Sequence, residues 1–70
     1  MLKIEKKTFR SSIYDPNEIE RGRLSVYGEL RRYLDRNDKL RLCEIKESLI
    51  RSNLGGFITI SLSVTLKNYL

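Results

Sequence analysis

Seventy residues with a net charge of +5 and a pI near 9.7 allow one small domain, residues 1–70. Its core is marginal, since a chain this short buries only about 60% of the surface its unfolded form exposes. One cysteine and no histidine exclude an intrachain disulfide, a Cys/His zinc centre within one chain, and Ser/His or Cys/His catalysis.

Leu2 to Tyr14 reads as a strand. Leu2 and Ile4 share one parity, Phe9 and Ile13 the other. A β-bulge or a bend near Lys6-Lys7 would bring all four onto one face. Asp15-Pro16-Asn17-Glu18 then carries helix-start chemistry. Asp15 suits the cap, Pro16 the first helical position, and Glu18 the capping-box position. Ile19, Val26, Tyr27, Leu30, Tyr33 and Leu34 follow at helical spacing, with Gly22 and Arg23 on the same face. Gly22 lowers helix propensity by about 1 kcal/mol, which points to a close backbone approach. Leu24 falls off that face and is a candidate contact for a second chain. The helix is expected to end around Arg36-Asn37-Asp38.

Lys39 to Asn53 decides the topology. Its apolar residues follow no single strand parity: Leu40, Leu42 and Ile50 are even, Cys43, Ile45 and Leu49 odd. As a helix, Leu42, Cys43, Ile45, Leu49 and Ile50 share a face, and Leu, Arg, Glu and Lys favour that state. The helix is the first expectation, and Cys43 is expected to be buried. The alternative is a strand joined to the next by a turn at Asn53-Leu54-Gly55-Gly56. Phe57 to Lys67 is a strand by its alternation: Ile58, Ile60, Leu62, Val64 and Leu66 on one side, Thr59, Ser61, Ser63 and Thr65 on the other.

The expected fold is α+β, a small two-layer domain with an antiparallel sheet packed on one long helix. Its order is β-α-α-β, with β-α-β-β as the alternative. Dimerisation is expected to complete the small core. Water, a second copy, or a bound polymer or other protein would cover the hydroxyl side of the last strand, and that strand, if left at an edge, would template pairing. Leu24, Thr59, Ser61, Ser63 and Thr65 are the expected self-association residues.

Functional expectations rest on charge. Lys3, Lys6, Lys7 and Arg10 stand against one carboxylate, Glu5, in the first strand. Such a strand suits a phosphate backbone, with lysine and arginine supplying salt-dependent attraction. Lysines on an edge strand also discourage aggregation. Arg32 and Arg36 belong to a second basic cluster near the end of the helix, where positive charge also complements the helix dipole. The reading is a non-enzymatic, nucleic-acid-binding accessory protein. Its rival is a protein-interaction module, an inhibitor or adaptor of a larger acidic protein, acting through the helix face or by strand-edge addition. Neither a metal, a cofactor nor a small-molecule substrate is expected. The absence of a disulfide framework, of a secretory signal in MLKIEKKTFR and of a membrane-length apolar run leads us to expect a cytoplasmic protein off the membrane.

Overall fold

A computed structural model describes residues 2–52 and 54–69. The chain runs from strand β1 (Leu2–Ile13) through a single 3₁₀ turn (Pro16–Glu18) into helix α1 (Ile19–Arg36). Strands β2 (Leu40–Arg51) and β3 (Ile58–Tyr69) follow. The sheet order is β1-β3-β2, and β3 is antiparallel to both neighbours. β1 and β2 are therefore parallel to each other, joined by a crossover through α1, and β3 fills the slot between them. No helix among the described residues is long and apolar enough to cross a membrane.

The helical segment starts where the sequence places it, but as a 3₁₀ turn at Pro16–Glu18 before α1 begins at Ile19. Asp15 Oδ1 accepts from the Asn17 backbone N–H at 2.9 Å, and Pro16 follows it. At the other end Asn37 caps α1: its N–H donates to the Leu34 carbonyl and its side-chain amide donates to the Tyr33 carbonyl. These bonds satisfy carbonyls that the last turn leaves without partners.

The core lies between α1 and the β1–β3 half of the sheet. Phe9 and Ile13 of β1, Val26 and Leu30 of α1, and Ile58, Ile60, Leu62, Val64 and Leu66 of β3 are buried there. Gly22 lets the helix settle onto the sheet. A Cβ at that position would stand 2.5 Å from Ile60 Cδ1 and 3.2 Å from Ile13 Cγ2. Tyr27 and Tyr33 pack on the rim of this core, and the Tyr33 ring meets Phe9 edge-on at 5.9 Å.

Three expectations are corrected. Residues 40–51 form a strand, not a second helix, so the order is β-α-β-β. A bulge at Cys43, between Leu42 and Glu44, resolves the broken parity. The extra residue puts Leu40 and Leu42 on the same face as Ile45 and Leu49. Pairing along β3 outweighs the local helix preference of these residues. Cys43, as the bulged residue, is exposed rather than buried.

The second correction concerns β1. It pairs with β3 without interruption from Leu2 to Ile13. No bulge occurs at Lys6-Lys7, and Leu2 and Ile4 lie on the opposite face from Phe9 and Ile13, where both are exposed.

The third concerns β3, which is the central strand and has no free edge. The hairpin closes with the Ser52 N–H on the Phe57 carbonyl at 2.9 Å and the Gly55 N–H on Ser52 Oγ at 3.0 Å. Gly56 supplies a positive φ of 64°. Asn53, expected to open this turn, lies outside the described residues.

Candidate nucleic-acid interface

Paired residues in an antiparallel ladder point to the same face, and neighbours along a strand to opposite faces. Register therefore assigns every side chain on the sheet. Phe9 and Ile13 are buried under α1, so Lys3, Glu5, Lys7 and Ser11 share the helix side. Ile4, Lys6, Thr8, Arg10 and Ser12 share the open side. On β3 the open side carries Thr59, Ser61, Ser63, Thr65 and Lys67. On β2, beyond the bulge, it carries Glu44, Lys46, Ser48 and Ile50, with Arg41 before it.

The open face is thus a field of hydroxyls framed by positive charge. Its described residues include seven serines and threonines and five cations: Lys6, Arg10, Arg41, Lys46 and Lys67. Glu44 is its one carboxylate. The excess of four accounts for most of the chain's net +5. A groove of about 380 Å³ crosses the middle of this face. Lys6 and Thr8 of β1 line one wall, Glu44 and Lys46 of β2 the other, and Ser63 and Thr65 the floor. Lys46 Nζ lies 3.7 Å from Glu44 Oε1, an exposed contact that leaves most of the ammonium facing water. Ser12 and Thr59 hydroxyls meet at 3.3 Å across the strands. Ser61, flanked by Arg10 and Ser48, is the buried polar residue of the sheet.

The basic residues singled out from sequence are divided between surfaces. Lys6 and Arg10 lie on the open face. Lys3 and Lys7 lie on the helix side, where Lys7 Nζ stands 4.4 Å from the centroid of the Tyr33 ring and 5.9 Å from that of Phe9. Arg32 is exposed on α1. Arg36 lines a separate recess at the end of α1 with Glu5, Tyr33 and Asn68, whose buried Oδ1 has no hydrogen-bond partner. Thr59, Ser61, Ser63 and Thr65 share the open face, and Leu24 is on the far layer, 74% exposed.

Arg41, Lys46 and Lys67 join Lys6 and Arg10 only through the sheet, and the sequence reading did not single them out as a group. One signal for their arrangement was present. β1 and β2 each carry five charged residues, whereas β3 carries Lys67 alone. A strand almost without charge belongs between two neighbours, and charge-rich strands belong at edges. That places residues of β1 and β2 either side of the hydroxyl strand.

On the helix side, Arg23 bridges the two layers. Its Nε donates to Glu47 of β2 and its Nη1 to Glu20, both at 3.1 Å. The bonds to Glu47 first and Glu20 second raise its pKa above the usual guanidinium value. No group of three or more His, Cys, Asp or Glu suited to a metal ion occurs among the described residues. Compared with known proteins, the chain matches no family model, no curated protein and no solved structure.

Proposed function

We propose that the protein is a non-enzymatic binding protein whose open sheet face follows the phosphate backbone of a nucleic acid. The observation that carries this reading is the segregation of charge. The open face holds an excess of four positive charges while the rest of the chain is nearly neutral. Lysine and arginine neutralise phosphates and release counterions, and serine and threonine hydroxyls bond phosphate oxygens. Lys6, Arg10, Lys46 and Lys67 make the phosphate contacts. Arg41 adds charge while its Nη1 donates to the Asp38 and Leu40 carbonyls. The hydroxyl rows of β3 and β1 line the path between them. The mode we propose rests on phosphate and hydroxyl contacts rather than on base stacking. Binding is accordingly tolerant of sequence and steep in salt.

Fluorescence anisotropy of labelled single-stranded and duplex oligonucleotides across a salt series tests this. Four contacts give a slope of log K against log salt of about −2.8 for single strands and about −3.6 for duplex. Lys6→Ala and Lys46→Ala each flatten the slope by about one contact. Arg32→Ala, on the outer surface of the helix, leaves it unchanged. Absence of binding at low salt, or a loss in Arg32→Ala equal to that in Lys6→Ala, overturns the proposal.

A further inference from the structure

A second surface is carried by β2. α1 lies over β1 and β3, and on β2 only Leu40, beside the end of the helix, is buried. Leu42 and Leu49 stand on the helix side of β2 and are 44% and 45% exposed. Ile45 between them is partly buried, and Ile50 on the open side is 58% exposed. β2 is also an edge, with one side of its backbone unpaired. Long edge strands with exposed aliphatic residues are pairing templates unless lysines, proline or a bulge blunt them. β1 is blunted by Lys3, Lys6, Lys7 and Arg10. β2 has no proline, and its bulge at Cys43 leaves Glu44–Arg51 as eight uninterrupted residues.

We infer that Glu44–Arg51 pairs with the same segment of a second copy, antiparallel about a two-fold axis, forming a six-stranded sheet. Charge selects this occupant. The segment is neutral, with Glu44 and Glu47 against Lys46 and Arg51. Centred on Ser48, an antiparallel pair keeps like faces together and sets no two like charges directly opposite, with Lys46 facing Ile50 and Glu47 facing Leu49. Pairing β1 with β1 would oppose two lysine-rich edges. Pairing β2 with β1 would be head-to-tail, which gives a ring or an open filament rather than a closed pair. The two-fold arrangement merges the Ile45 and Leu49 strips of both copies into one apolar band beside the two helices. This enlarges a core that 70 residues leave small. It also sets the two open faces side by side, although the inference does not depend on what they bind.

Sedimentation of the full chain, free of nucleic acid and over a wide concentration range, is the test. The wild type is expected at about twice 8.3 kDa. The double variant Leu49→Lys/Ile50→Lys is expected at half that mass with an unchanged far-UV spectrum, because both side chains are already half exposed. Leu24→Lys, on the other layer, is expected to remain dimeric. A wild-type monomer at every concentration overturns the inference. So does a dimer that survives the double variant, or one that is lost in Leu24→Lys.

Discussion

Replacing Gly22 with alanine sets two opposing effects against each other, and a second glycine in the same helix separates them. In a helix interior, alanine is favoured over glycine by about 1 kcal/mol. Gly28 realises that gain, since a Cβ there meets only Arg32 Nη1, at an ordinary 3.5 Å. At Gly22 the new Cβ would stand 2.5 Å from Ile60 Cδ1, about 1 Å inside the 3.5–4.0 Å at which carbon atoms attract. Ile60 is fully buried, so its terminal methyl has no free space to enter. Overpacking of this kind costs about 1–3 kcal/mol. Propensity cancels between the two variants, and Gly22→Ala should therefore be less stable than Gly28→Ala by about 1–3 kcal/mol. For a domain of this size each kcal/mol moves Tm by about 4–8 °C. Urea and thermal unfolding followed by far-UV circular dichroism, at one protein concentration so that association does not enter, measure the difference. Ile60→Val removes the offending methyl. Its own cost of about 0.5–1.5 kcal/mol should shrink in the Gly22→Ala background. A Gly22→Ala protein as stable as Gly28→Ala, or an additive double mutant, refutes close packing at Gly22.

Two further substitutions probe the turn and the helix-side lysine. Gly56 has φ of 64° and open space around it, so Gly56→Ala should cost about 1–2 kcal/mol through backbone strain alone. A neutral result in urea denaturation would contradict that turn conformation. Lys7→Ala removes the ammonium from the Tyr33 ring and should lower stability by about 0.5–1 kcal/mol while leaving the salt slope of nucleic-acid binding intact. A flattened slope would assign Lys7 to the binding surface instead.

Local chemistry in the sequence determined the start and end of α1, the strands at both termini and the need for a small residue at Gly22. Asp15-Pro16, the 3.6-residue spacing of Ile19 to Leu34, and the alternation of Ile58 to Leu66 each act within a few residues. Lys39 to Asn53 was different, because its state depends on partners 7 to 28 residues away in β3. Paired with β3, and with one residue bulged at Cys43, its mixed parity resolves into one row of Leu40, Leu42, Ile45 and Leu49, with Ile50 on the other side. The candidate site followed the same division. That the chain has basic residues and a hydroxyl-rich strand is a property of the sequence. Which of them share a surface was decided by the tertiary structure, since register alone sends Lys6 and Arg10 to one side of β1 and Lys3 and Lys7 to the other. Only the insertion of β3 between β1 and β2 brings Lys46 opposite Ser63 and Lys6 opposite Thr65. The physical reason is that helix caps and periodicity are short-range, whereas strand order and facing are fixed by pairing between distant segments.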